Sequence, residues 1–342
     1  MHQLKDCRSP STLVVGVVTQ ITMQQAGLVA NAVSARHALG NGVDRKAANT
    51  RVAYAQDLAT FADYLAQCGV ATGNLLADST AWLGIDFGLV DGFVQWLLQS
   101  GYALATVNRK LSTVKKFVKL GMSAGVLSAD TYVRVAAISG YGHKEGNHID
   151  ANRTVVRLGN KKAETVEIDA DQASAVKLQP ATPQGRRDQL LMCLLLDHGL
   201  RVGEVTSLQV GDFDLKRGTI RFYRQKVDKT QKHKLSKATL KALQAYMASD
   251  APAVGLLLRG SRKGGKLDGA GLSTVATSER VGLLFAAVGL PGASAHDCRH
   301  YWATHWATKV DILRLQEAGG WSSMAMPRRY VKAAEIANEG ME

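Results

Sequence analysis

The segment that decides the fold lies near the end of the chain and reads Ser294-Ala295-His296-Asp297-Cys298-Arg299-His300. His296 and Arg299 are three residues apart, so a helix would place both side chains on one face. That face would place the His296 imidazole, which can carry a proton, beside the Arg299 guanidinium, which can bind an anion. The histidines and Cys298 match no usual ligand spacing for zinc, and we expect no metal here.

Two further signals stand on either side of this segment. Upstream, Arg201 opens an apparent helix and Glu204 follows one turn later, within Gly199-Leu200-Arg201-Val202-Gly203-Glu204. Downstream, Gly319-Gly320-Trp321 is followed nine positions later by Tyr330. Taken singly, such an ion pair usually lies on the surface, and such a tyrosine is usually an ordinary surface or core aromatic.

A basic hairpin lies between the first arginine and the histidine segment. Residues 219–223 have strand character and lead into a turn that is dense in positive charge. This density favours a loop that contacts phosphates, and the alternative is an exposed basic hairpin without chemistry. The basic residues proposed here are Arg221, Arg224, Lys226, Lys229 and Lys232.

The net charge indicates the partner. The 342 residues include 42 Lys and Arg against 29 Asp and Glu, a formal charge of +13. An excess of this size is typical of proteins that bind a polyanion, with nucleic acid the first choice and an anionic membrane the second. No apolar run approaches the roughly 20 residues that span a bilayer, so we expect no membrane segment. The four cysteines lack paired spacing, which favours reduced thiols and a cytoplasmic location.

The N-terminal half is predicted to be helical. We treat residues 1–48 as an extension, and apolar residues then recur at helical spacing in three segments. In the third, Val107, Leu111, Val114 and Val118 form an apolar stripe beside a basic face, which either contacts phosphates or is simply solvated. The basic residues of this helix are Arg109, Lys110, Lys115, Lys116 and Lys119. A glycine-rich polar stretch at 140–148 predicts a boundary between domains at 49–150 and 151–342.

Together these signals resemble the tyrosine recombinase or integrase family, over about residues 49–342. That family carries, in order, an arginine, a lysine on a β-hairpin, His-x-x-Arg, a histidine or tryptophan, and a tyrosine. The matching residues here are Arg201, Lys226, His296, Arg299, Trp321 and Tyr330. Glu204 occupies the place of an acidic supporting residue, and Lys229-Thr230 offers an alternative to Lys226 because a Lys-Thr pair often marks the family's lysine.

The resemblance implies a mainly α fold with a small β-hairpin or sheet in the catalytic domain. It also implies a C-shaped clamp around DNA, formed by a helical SAM-like core-binding domain and an α+β catalytic domain. Tyr330 would attack the DNA backbone and form a 3′-phosphotyrosine, with Arg201 and Arg299 binding the phosphate, His296 relaying a proton, Lys226 protonating the 5′ oxygen and Trp321 packing at the phosphate.

Further expectations concern partners. The implied reaction needs no metal or other cofactor, and it passes through a Holliday junction in a homotetramer that holds two recognition sites on double-stranded DNA. Accessory proteins and association with the nucleoid are compatible with this role, and the end of the chain, 331–342, would dock as a helix on a neighbouring subunit. The rivals are a type IB topoisomerase, a non-catalytic architectural DNA binder, and a nucleotide-binding loop at 260–266, against which Leu267 stands where Ser or Thr is required.

Overall fold

The computed structural model describes residues 22–158, 165–262 and 264–331. The chain divides into two compact units, within 1–161 and 162–342. Both are built mainly from α-helices, and the second contains a three-stranded antiparallel sheet, which confirms the predicted fold class. No helix in the described part of the chain is long and apolar enough to cross a membrane.

The N-terminal unit packs its helices around an aromatic core. Phe61, Phe93, Phe117 and Trp82 are buried together, and the indole nitrogen of Trp82 donates to the carbonyl of Leu75 at 2.9 Å. The helices are α1 (Met23–Asp44), α2 (Ala48–Gln67), α3 (Phe87–Gln99), α4 (Leu104–Ser123), α5 (Ala129–Ala137) and α6 (His143–Ala151).

Helix α4 is central to this unit, since α1, α2, α3 and α5 all pack on it. The predicted stripe of Val107, Leu111, Val114 and Val118 is buried, so that prediction is confirmed. Part of the segment predicted as an extension forms α1, and its end packs against α4 where Gly42 meets Leu120.

The second unit is organised around one helix whose middle is fully buried. Every residue from 190 to 196, on α8 (Pro183–His198), is buried, as expected for a helix covered on all sides. Thr182 caps its first turn and Gly199, with φ of +59°, ends it. The other helices are α7 (Ala170–Ala175), α9 (Val202–Thr206), α10 (Lys237–Ser249), α11 (Thr274–Ala287), α12 (Ala295–Ala307), α13 (Ile312–Gly319) and α14 (Ala325–Arg328).

The sheet of the second unit has the order β1-β2-β3, with β1 at Phe213–Asp214, β2 at Thr219–Arg224 and β3 at Lys229–Lys234. Strands β2 and β3 form the predicted basic hairpin, closed by the pair Arg224 and Lys229. Burial alternates along β2: Ile220, Phe222 and Arg224 point inward, whereas Arg221 and Tyr223 are exposed. Arg224 therefore lies on the inner face of the sheet.

Candidate active site

Arg201 is held where α8 gives way to α9. It precedes the first turn of α9, and the Glu204 carboxylate accepts hydrogen bonds from its backbone N–H at 2.9 Å and from its Nη1 at 2.7 Å. Glu204 therefore fixes both the main chain and the guanidinium of Arg201. The side chain of Arg201 is 28% exposed, so its guanidinium is accessible to a ligand.

Arg224 lies behind this pair and is fully buried. Its Nη1 donates to both oxygens of Glu204, at 3.2 and 3.1 Å, and its Nε donates to Oε1 of Gln231. Burial lowers the pKa of Arg224 to about 10, while Glu204 opposes that shift. The alternation of β2 turns the Arg224 side chain into the core, where a buried carboxylate holds it. Its contact with DNA stays a prediction, and this burial argues against it.

Arg299, on α12, connects two chain segments. Its Nη1 donates to the carbonyl of Gly199 at 2.5 Å and its Nη2 to that of Gly319, and its guanidinium carbon lies 4.8 Å from the ring centre of Trp321. Burial lowers the pKa of Arg299 to about 9, and the neighbouring Arg201 and Arg224 lower it further. This value still leaves Arg299 charged at neutral pH.

The C-terminal end of α13 is anchored by three side chains. The carbonyls of residues 317, 318 and 319 accept hydrogen bonds from Gln231, Arg224 and Arg299, respectively. The last carbonyls of a helix lack partners within the helix, and its negative dipole end favours cations. Gly320 then adopts φ of +59°, and a Cβ there would lie 2.4 Å from Cδ of Arg224, so this tight turn requires glycine. The turn places Trp321 beside Arg299 and Tyr330.

Tyr330 follows α14 and is largely buried, with 7% of its surface exposed. Its ring stacks on Trp321 with centroids 5.7 Å apart and lies 5.3 Å from the ring of His300. Burial raises the pKa of Tyr330, and Arg299, Arg329 and Arg201 oppose the shift. The phenol is therefore protonated at neutral pH and needs a proton acceptor before it can act as a nucleophile.

His296 and His300 stand one turn apart on α12. Their Nε2 atoms are 3.0 Å apart and their ring centroids 4.5 Å apart in an edge-to-face arrangement. Both rings, together with Tyr330 and Arg329, line a cavity of about 550 Å³. The structure thus places His296 in the same cavity as the tyrosine, as the resemblance to the family implied.

The two candidate lysines both lie at the tip of the β2–β3 hairpin. Lys226 is exposed within the turn at Gln225–Val227. Lys229 begins β3, and its Nζ is 2.6 Å from Oε1 of Glu317, with both side chains half-exposed or more. The assignment of the general acid to Lys226 stays a prediction.

The other predicted DNA contacts differ in accessibility. On the hairpin, Arg221 and Lys232 are exposed and directly paired across the strands. On α4, Arg109 is half-exposed, although its Nη1 lies 2.6 Å from the buried Asp57 carboxylate. Lys115 instead donates to the carbonyls of Ala136 and Ile138 at the end of α5.

Lys110, which is predicted to contact DNA, lies in the core of the N-terminal unit. Its side chain is buried, and Nζ binds Asp57 at 3.3 Å and Thr60 at 2.7 Å. An internal carboxylate on α2 holds this lysine in the core, so its contact with DNA stays a prediction that the burial argues against. By contrast, Lys116 and Lys119 form a cluster with Lys46, and the positive charges of Lys46 and Lys119 add to burial in lowering the pKa of Lys116.

Sequence reasoning missed three contributions. The position of His300 beside His296 could have been found from the spacing of four residues between them, which places both on one helical face. The alternation of β2 gives Arg224 an inward position, but the Glu204 carboxylate that holds its charge there is 20 residues away. Lys46 gives no such signal, since it precedes α2 and meets α4 only in the folded unit. The described residues contain no cluster of three or more metal-ligating side chains.

Comparisons with known proteins identify the family of the chain. The phage integrase family matches residues 167–336, and the N-terminal SAM-like domain of phage integrases matches residues 43–125. The chain belongs to the phage integrase family of tyrosine recombinases. Among curated relatives, the tyrosine recombinase XerC of Mycobacterium sp. (strain KMS) is 29% identical over 68% of this chain and 73% of its own length. XerC of Roseiflexus sp. (strain RS-1) is 24% identical over 83% of both chains.

Solved structures show the same fold at lower identity. The Tn1549 transposon integrase, in complex with a circular intermediate DNA, matches with a TM-score of 0.64 and 14% identity, over 90% of this chain and 98% of that one. A lambda integrase dimer bound to a COC′ core site matches with a TM-score of 0.57 and 15% identity, over 95% and 83% of the two chains.

Proposed function

We propose that this protein is a site-specific DNA recombinase that cleaves and rejoins strands through a covalent bond between Tyr330 and a 3′ phosphate. The observation that carries the proposal is the position of Tyr330, buried between Trp321 and His300. Arg299 packs against Trp321, the residue that stacks on Tyr330. The guanidinium carbon of Arg299 lies 4.8 Å from the Trp321 ring centre. A nucleophile and an anion-binding group therefore share one site.

The chemistry follows from these groups. The Tyr330 oxygen attacks phosphorus, the bond to the 5′ oxygen breaks, and Lys226 donates a proton to that leaving oxygen. Arg201 and Arg299 stabilise the charge on the non-bridging oxygens, since transfer of a phosphoryl group depends mainly on positioning and electrostatics. Each terminal nitrogen of Arg299 carries two hydrogens, so its bonds to the carbonyls of Gly199 and Gly319 leave one per nitrogen for a phosphate. Attack by a 5′ hydroxyl on the phosphotyrosine reverses the step without a cofactor.

Binding to double-stranded DNA is supported by the distribution of charge. Arg221 and Lys232 face each other across the hairpin, and like charges in that position are destabilising unless an anion lies between or above them. The cluster of Lys46, Lys116 and Lys119 provides a second basic surface. We propose that these surfaces contact phosphates in the cytoplasm, on nucleoid DNA.

The full reaction requires two recognition sites. We propose that a homotetramer holds them, with or without accessory proteins, and that strands are exchanged through a Holliday junction. The predicted helix at the chain end, which would dock on a neighbouring subunit, lies outside the described residues apart from Val331.

The test begins by selecting the bound sequence from random DNA and placing two copies in a supercoiled plasmid. We expect the wild-type protein to produce recombinant products from this plasmid and none from a plasmid without the sites. Relaxation of both plasmids without recombinants would instead indicate a type IB topoisomerase. Binding without any cleavage would indicate an architectural protein.

A further inference from the structure

A second histidine contacts the proposed nucleophile. His300 lies one helical turn beyond His296 on α12, and its ring centroid is 5.3 Å from that of Tyr330. On its other side, its Nε2 is 3.0 Å from Nε2 of His296. His300 therefore lies between His296 and the tyrosine ring in a chain of contacts.

The contact between the two imidazoles has a chemical consequence. A hydrogen bond between two ring nitrogens holds one proton, so one ring donates and the other accepts. If either ring gains a further proton, this contact becomes a charge-assisted hydrogen bond, which is roughly twice as strong as a neutral one. The pair is thus a better proton acceptor than a single histidine in the same place.

The tyrosine needs such an acceptor. Its phenol is buried and protonated at rest, and the arginines beside it carry positive charge that cannot take up a proton. The other titratable or charged groups that line the same cavity are Glu167 from the segment before α7, Tyr301 and His305 from α12, and Arg329 after α14. Of all these groups, His300 has its ring packed against Tyr330.

We propose that His300 and His296 act as a pair that accepts the Tyr330 proton during cleavage and returns it during rejoining. This inference rests on the proposed function. In cleavage the phenolic O–H bond breaks, its proton goes to the imidazole pair, the oxygen bonds to phosphorus, and the 5′ oxygen leaves with a proton from Lys226. In rejoining, every proton returns by the same route.

The experiment measures the rate at which wild type, His300→Phe and His305→Phe form a covalent adduct with a nicked suicide substrate across a range of pH. Phenylalanine keeps a ring against Tyr330 but removes both nitrogens. His305→Phe is the matched control, because His305 lies on the same helix and its ring stacks on Tyr301 rather than on Tyr330. DNA affinity and thermal unfolding are measured for each variant.

We expect His300→Phe to form adduct about 100-fold more slowly, in the range that general acid–base catalysis contributes. The acidic fall of the rate should also move to lower pH, because a single His296 loses the charge-assisted bond that favours its protonated form. If His300 had only a structural role, the pH at which the rate falls to half its maximum would not change. His305→Phe should resemble wild type.

Two further measurements locate the defect. A substrate with sulfur in place of the bridging 5′ oxygen needs no proton on its leaving group, so it should leave the His300→Phe defect in place. In a His300→Ala variant, added imidazole should restore part of the rate. Restoration of His300→Phe by the sulfur substrate, or a wild-type rate and pH midpoint in that variant, would overturn the inference. Failure of the wild-type protein itself to form an adduct would overturn the proposed function instead.

Discussion

The two lysines at the hairpin tip differ in what their side chains contact. Lys229 is paired with Glu317 at 2.6 Å, whereas Lys226 has no hydrogen bond or ion pair among the described residues that would keep it from a leaving oxygen. A general acid has to reach the atom that it protonates, so the exposed side chain of Lys226, which no ion pair in the described part of the chain holds, favours this residue over Lys229.

This difference predicts how two variants respond to leaving-group chemistry. Lys226→Ala should slow adduct formation by about 100-fold or more, and a bridging sulfur at the 5′ position should restore the rate because a thiolate leaves without a proton. Lys229→Ala should require more DNA for the same rate and show no selective response to sulfur. The opposite pattern, with rescue of Lys229→Ala alone, would assign the general acid to Lys229.

At the scale of elements, the site depends on one junction, where the β2–β3 hairpin meets the end of α13. Arg224 binds Glu204 on one side and the carbonyl of Ala318 on the other, at 2.9 Å, so it links the Arg201 turn to the helix that delivers Trp321. Removing this guanidinium would leave a buried carboxylate with only Arg201 as its charged partner.

We therefore expect Arg224→Met to lower the free energy of unfolding by about 3–5 kcal/mol, the usual cost of breaking a buried ion pair from one side. Arg221→Met on the same strand is the control, because Arg221 is exposed and such changes usually stay within about 0.5 kcal/mol. Urea unfolding of both variants makes the comparison. Equal stability would show that Arg224 does not hold the junction together.

The same two elements show what could be predicted from the sequence. The helical stripe of α4 and the hairpin are local patterns, and periodicity reveals them. The order of Arg201, His296, Arg299, Trp321 and Tyr330 is recognised through its resemblance to the tyrosine recombinase family. The burial of Lys110 and Arg224 is not local, since it depends on carboxylates that are 53 and 20 residues away. A charged residue is buried only where a distant partner compensates it, and spacing along one element does not identify that partner.

At the scale of the whole molecule, the buried His198 and the partly buried His233 link the stability of the second unit to pH. His198 on α8 and His233 on β3 have ring centroids 6.1 Å apart. Burial lowers the pKa of His198 to about 4 and that of His233 to about 3, from an ordinary value of 6.5. Between pH 6.5 and about 4, the unfolded chain binds more protons than the folded one. The stability that comes from keeping these histidines neutral is therefore fully present above pH 6.5 and is lost as pH falls towards 4.

Each histidine should contribute up to about 1.4 kcal/mol of lost stability per pH unit within that window. His198→Gln removes one of the two groups and should flatten the dependence without abolishing it. Urea unfolding of both proteins at pH 7.5 and pH 5 measures the difference, and the carboxylates common to both cancel in the comparison. Identical slopes would mean that His198 is not kept neutral by the fold.

The net charge of +13 predicts a polyanionic partner for the whole chain, but the reaction that we propose depends on a single oxygen atom, that of Tyr330. The most direct test incubates wild type and Tyr330→Phe with a nicked substrate that traps cleaved complexes, and then separates covalent protein–DNA adducts under denaturing conditions. The wild-type protein should form an adduct attached through a 3′ phosphate, and Tyr330→Phe should form none while still binding the DNA. An adduct of normal yield with Tyr330→Phe would contradict the assignment of Tyr330 as the nucleophile.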